Sequence, residues 1–289
     1  MRHAVRPSLV LLLAGGLAMA GPVRAADVPE TEAEAENVSE AAPERGRNRL
    51  LGLALSSSRP HIGSEAQSLD AQPLWAFQYG SLRIASGRAG SLMSAGRETV
   101  DPGVSTVLVT DGGWRLSTSL RYDGGRSADD ADPLLRGLPG LRETVRGRLS
   151  ASRALGPRWS LGLGADQDLL GRGGGLRLNA GTGYRYPLSG HTQWDLSVGV
   201  GWGNSTYLQS RYGIGAEAAA SSGRPAYLLG SGWESLGLGL QLTSVLGPHW
   251  VAFGGLSVNH LLGEAARSPL VGRRTVYGAS VGLAWRSRP

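Results

Sequence analysis

From Trp114 to Trp285 apolar and polar residues alternate with a period of two. Trp114, Leu116, Thr118, Leu120 and Tyr122 share one face, with Arg115, Ser117, Ser119 and Arg121 on the other. The pattern returns at 145–152, with Arg146, Arg148, Ser150 and Ser152 polar, and at 159–166, where Trp159, Leu161 and Leu163 oppose Ser160, Gly162, Gly164 and Asp166. Three further runs carry it at 176–186, 194–203 and 236–243, and a last one spans 277–285. Successive strand residues face opposite sides, so each run is a strand with one apolar face.

A soluble sandwich would alternate in the same way, and three features separate it from a membrane barrel. Aromatics sit at strand ends: Trp114, Trp159, Trp194 and Trp250 open strands, while Tyr122, Tyr184, Tyr186, Trp202 and Trp285 stand near their ends and Tyr277 begins the last. Such placement predicts girdles at two membrane interfaces with aliphatic residues between them. The runs approach the ~9–11 residues of a tilted bilayer crossing, against about 5–6 for soluble strands. Connections alternate between tight turns, as at Asp111-Gly112-Gly113 and Leu246-Gly247-Pro248, and longer links at 123–140, 204–230 and 262–274. Weaker strands are expected at 50–56, 73–79, 82–86, 104–110 and 250–262. The chain therefore reads as all-β, a transmembrane antiparallel barrel of about twelve strands, with ten as the alternative.

The start of the chain sets the compartment. Arg2, His3 and Arg6 precede an apolar stretch, and Val23-Arg24-Ala25 offers small residues for cleavage, so 1–25 is expected to be a secretory signal. Residues 26–49 carry seven acids (Asp27, Glu30, Glu32, Glu34, Glu36, Glu40 and Glu44) and almost no aliphatic side chains. They are expected to form a disordered acidic tether in the periplasm, with the barrel at 50–289. There is no Cys, which rules out disulfides and a lipid-modified N-terminal cysteine. The net charge of +6 is carried by arginines dispersed along the chain. Export and dispersal argue against nucleic acid, leaving outer-membrane lipid and lipopolysaccharide as the countercharge.

Catalytic chemistry finds little support. Candidate acids are Asp129, Asp130 and Asp132, and the pair Asp166 and Asp168; the histidines are His61, His191, His249 and His260. No Ser–His pairing falls on adjacent inward positions and no metal spacing is present, so neither a cofactor nor a metal is expected. Gly173-Gly174-Gly175 lacks the Lys and helix of a phosphate loop and reads as a rim loop. The polar face instead collects Arg115, Arg121, Arg146, Arg148, Asp166, Asp168, Arg177, Arg185 and Asp195, expected to line the lumen as a solvated lattice of carboxylates and arginines.

Several ordered segments resemble the MipA/OmpV outer-membrane family: Tyr122-Asp123-Gly124-Gly125-Arg126, Leu135-Arg136-Gly137-Leu138, Asp166-Gln167-Asp168-Leu169-Leu170-Gly171 and Tyr184-Arg185-Tyr186-Pro187-Leu188. Further on come Tyr212-Gly213-Ile214, Pro225-Ala226-Tyr227, Leu246-Gly247-Pro248-His249-Trp250, and Leu261 to Ala266 followed by Ser268-Pro269. The likeness covers roughly 56–285. It departs at the end, where Trp285 is followed by Arg286-Ser287-Arg288-Pro289 instead of a terminal aromatic. The resemblance implies a scaffold joining a murein-degrading lytic transglycosylase to a bifunctional penicillin-binding protein; other relatives are described as adhesins or small-solute channels. The inward arginines keep a narrow channel for small polar or anionic solutes as the second reading.

Overall fold

The computed structural model describes residues 47–58, 68–94, 101–126 and 138–287. The expected signal, residues 26–46 of the expected tether, His61 and the acids Asp129, Asp130 and Asp132 lie outside the described residues.

Strands form where the alternation runs: β1 (Arg47–Ser58), β2 (Ser68–Tyr79), β3 (Leu82–Ala85), β4 (Gly103–Asp111), β5 (Trp114–Asp123) and β6 (Thr144–Leu155). They continue with β7 (Trp159–Asp168), β8 (Leu176–Pro187), β9 (Thr192–Gly203), β10 (Gly232–Val245), β11 (Trp250–Leu261) and β12 (Thr275–Arg286). Each pairs antiparallel with its sequence neighbours, and β1 closes the barrel against β12. Of the two expected counts, twelve is the one observed. β1 begins at Arg47, inside the stretch expected as tether: Arg47 pairs with Tyr79 on β2, and the Arg49 amide donates to Ser287 Oγ at 2.9 Å.

Closure fixes which face meets lipid. Leu238 on β10 lies opposite Val198 on β9, and both remain exposed, as do Leu51, Leu53 and Leu55 along β1. An outward aliphatic band of this kind belongs in hydrocarbon. Aromatics pair across strands at its edges: Tyr186 with Trp194, Trp159 with Tyr184, Trp250 with Trp285, and Trp202 with Trp233. Tight turns and both ends of the barrel share one rim, which is the periplasmic side of such barrels. The other rim carries the long connections, and the link read as a plain loop at 204–230 contains α2 (Ser205–Tyr212) and α3 (Ala216–Ser222).

β3 is the irregular stave, with only Leu82–Ala85 pairing with β2. The Ser86 hydroxyl then accepts the Trp75 N–H at 3.0 Å, and Gly87 takes φ +48°, a conformation that other residues rarely adopt. The chain turns into the barrel as α1 (Ala89–Met93), whose Leu92 and Met93 are buried with Leu50, Leu74, Ala76, Val251, Phe253 and Ala284. Pro73, three residues before Ala76 on β2, sits past the end of the β3 pairing, where a missing N–H costs the sheet nothing.

Candidate functional site

The residues that carry chemistry converge on the interior of β5 to β10. Asp166 is central: Arg148 Nη1 lies 2.8 Å from its carboxylate and Arg121 3.8 Å away. Arg148 Nε reaches Asp101, at 3.0 Å. Arg185 and Asp195, opposite each other on β8 and β9, pair at 2.6 Å. Arg115 stands opposite Thr110 and Ser152.

Two of the expected partners meet other groups. Arg177 faces Asp166 in the register, yet its Nε bonds Glu234 at 2.6 Å. Arg146 and Asp168 are also opposite, but Arg146 donates to the carbonyls of Gly174 and Asp166 at 2.9 and 3.2 Å. Asp168 accepts from the Gly174 and Leu170 amides at 2.8 and 3.1 Å and from the Thr144 hydroxyl, so it pins the 169–175 loop. The lattice is less solvated than expected: Arg146, Asp166, Asp168 and Arg185 are buried, with relative exposures of 2–6%, while Arg115, Arg121, Arg148, Arg177 and Asp195 are half-buried. For Arg146, Asp166 and Asp168 the reason lies above them, where the loop rim folds over the lumen; Arg185 lies towards the turn rim, against Asp195.

That lid is built on α2. The Asn204 side chain accepts the Tyr207 amide at 2.9 Å, capping the helix, and the Leu176 amide at 3.0 Å, tying the helix to β8. A Cβ at Gly175 would lie 2.4 Å from the Tyr207 nitrogen, so the approach of loop and helix depends on a glycine. The hydroxyls of Tyr207 and Tyr212 both donate to Glu234, at 2.9 and 3.1 Å. Arg211 bonds Asp123 at 3.0 Å, and both Arg211 and Arg146 lie over the Tyr207 ring, at 5.0 and 5.5 Å. Burial first, and then the Glu234 carboxylate, pushes the Tyr207 phenol up to about 12; Tyr212 is raised by the same two causes. Around this polar centre Leu208, Leu229, Leu261 and Ala265 are buried together, and Leu138, Ile214, Ala218 and Leu270 join three loops in a second apolar cluster.

Sequence reasoning missed Glu234, Tyr207, Arg211, Tyr212 and Asp101. Glu234 hides because a bulge between Trp233 and Ser235 adds a residue, so that Glu234 and Ser235 both point inward and the period of two fails. Asn204 ahead of Tyr207 is a helix-start signal that could have found α2.

The histidines stay at the rims. The His249 ring meets the Arg286 carbonyl at 2.9 Å and stacks on Trp285; the His260 ring meets the Thr275 hydroxyl at 2.8 Å; the His191 amide bonds Ser189 Oγ at 3.2 Å. Of the expected girdle, Trp114, Trp159, Tyr184, Tyr186, Trp194, Trp250 and Trp285 lie towards the turn rim, and Tyr122, Trp202 and Tyr277 towards the loop rim. Trp233 and Tyr79 are exposed in the same bands.

No curated protein matches the chain. Solved structures similar to it include an outer-membrane channel from Pseudomonas putida F1, 12% identical, with 88% of this chain and 100% of that one covered and a TM-score of 0.41. The NanC porin is 10% identical over 83% of this chain and 99% of its own, with a TM-score of 0.38. An anion-selective porin from Comamonas acidovorans is 9% identical over 83% and 98%, with a TM-score of 0.36. The model of the family described as MltA-interacting protein MipA matches residues 51–287, and this outer-membrane β-barrel belongs to that family.

Proposed function

We propose that the barrel is a non-enzymatic scaffold, closed to free diffusion, that presents its periplasmic rim and acidic tether to murein-remodelling enzymes. The observation that carries this reading is the filling of the lumen from both rims, by α1 below and by α2 above. A wall built to pass solute gains nothing from two independent closures, whereas a rigid, filled barrel is a stable platform. The family's description names MltA as what MipA interacts with; a lytic transglycosylase and a bifunctional penicillin-binding protein are the partner classes the resemblance implies. Residues 26–49 carry seven acids, and contacts made through them weaken as salt screens exposed charge.

The test is a quantitative pull-down from native envelopes of the full chain and of a chain lacking 26–46. Murein enzymes recovered with the full chain, and lost on deletion or at high salt, support the reading. Equal recovery from both chains across salt removes the tether from the mechanism, and no recovery from either rejects the scaffold. A narrow channel is the second reading, favoured by Arg121 and Arg148 around Asp166 between the two closures. Steady single-channel conductance of the purified chain in planar bilayers would replace the first reading with this one.

A further inference from the structure

Arginines meet aromatic rings at both levels of this molecule, but they do so differently at the two rims. Inside, Arg88 lies over Phe253, and Arg146 and Arg211 over Tyr207. Outside, among the described residues, every such pair stands at the rim of the tight turns: Arg47 over Tyr79 and Arg153 over Trp114, each at 5.5 Å, and Arg158 over Tyr186 at 5.6 Å. Arg158 also donates to the Tyr184 hydroxyl at 3.2 Å. The three rings are exposed, and so are the three arginines, with Arg49 exposed two residues from Arg47 on the same face of β1. The described acids at this end are Asp111, the last residue of β4 and opposite Trp114, and Asp195, which Arg185 holds inside. The loop rim is arranged otherwise, with Tyr122 bonded to Glu143 and Trp202 paired with Trp233.

A guanidinium held over a ring loses part of its side-chain freedom while keeping N–H groups that the ring does not use. That geometry suits the two oxygens of a phosphodiester better than a flexible ammonium would. Aromatic rings at a barrel rim sit at headgroup depth, so the arginines above them lie in the phosphate layer of the leaflet under the turns. We propose that this arginine–aromatic rim is a binding belt for anionic phospholipid headgroups, of the phosphatidylglycerol type, in the periplasmic leaflet. The chemistry asks for a negative diester phosphate and is met poorly by a zwitterionic headgroup, whose own ammonium competes for the phosphate.

Native mass spectrometry on the folded full-length chain in detergent tests this, with phosphatidylglycerol and phosphatidylethanolamine as the two probes. The wild type should retain phosphatidylglycerol in clear preference. One arginine near an anionic surface is worth about fivefold, so joint replacement of Arg47, Arg153 and Arg158 by Gln should weaken that binding by about a hundredfold and erase the preference. Arg273→Gln with Arg274→Gln, at the opposite rim, should change nothing. Should the triple variant fail to give the heat-modifiable band of a folded barrel, Arg153→Gln alone should lose about fivefold. Equal binding of both lipids by the wild type overturns the proposal, as does a preference that survives the triple change. Removal of 26–46 should leave lipid binding as it was. A marked rise would identify the acidic segment as the occupant of the belt and overturn the lipid assignment.

Discussion

Two short helices pack inside the barrel, one near each rim, and the two closures proposed from them are made of different chemistry. Near the turn rim, five residues of α1 press Leu92 and Met93 into a dry patch formed by β1, β2, β11 and β12. Near the loop rim, α2 brings two phenols and a guanidinium onto Glu234 and Asp123. Apolar packing has no directional requirement and degrades in proportion to the surface removed. A buried charge network depends on every member, because removing one leaves another uncompensated in a low-dielectric site. The lower closure should therefore fail gradually, and the upper one at once.

Breaking the upper closure should give the largest effect. Glu234→Ala leaves the Arg177 guanidinium and two phenols facing an empty site, and removing one partner of a buried ion pair costs about 3–5 kcal/mol. The lid should open while the barrel stays intact: rapid proteolysis within 204–231, with an unchanged heat-modifiable band. If 204–231 stays protected, the apolar clusters alone hold the lid and the contrast between the closures collapses.

A smaller loss follows from Leu92→Ala. It removes a side chain only 1% exposed, with a cost of about 2–3 kcal/mol, towards the low end for such truncations because a five-residue helix can settle into the space. Hydrogen exchange at 89–93 should quicken while protection of 205–212 holds. Exchange that rises at both places together would mean that the closures are one cooperative unit.

The sequence made the wall legible and left the closures hidden, for physical reasons. A strand in a barrel wall repeats every two residues, so the outward leucines of β10 and the inward arginines of β6 stand out without tertiary knowledge. The lid has no period: it joins Asp123 at the end of β5, Tyr212 and Tyr227 from the link between β9 and β10, and Ser268 from the link between β11 and β12, through contacts such as Ser268 Oγ to the Tyr212 carbonyl at 2.5 Å. These residues do fall within the segments that carry the family resemblance, which marked them as a set without saying what they assemble. α1 gave still less signal, since Ala89-Gly90-Ser91-Leu92-Met93 is too short to show a helical repeat and its burial is set by strands distant in sequence.

The smallest effect separates the closures by proton chemistry. Tyr212→Phe deletes one hydrogen bond to a carboxylate that keeps Tyr207 and Arg177, a loss of about 1–2 kcal/mol. Alkali should do the same to both phenols. In the folded chain Tyr207 is pushed up to about 12, against about 10 for a free tyrosine. Below pH 10 both states hold the proton and the lid has its full stability. Between about 10 and 12 the unfolded segment has released the proton and the lid has not, so stability falls as pH rises through that window. Phenolate absorbance of the folded barrel should accordingly show a late step near pH 12 that Tyr207→Phe removes. Leu92→Ala should retain that step, because the apolar cluster around α1 contains no tyrosine; its loss in that variant would show that opening the lower closure also wets the upper one.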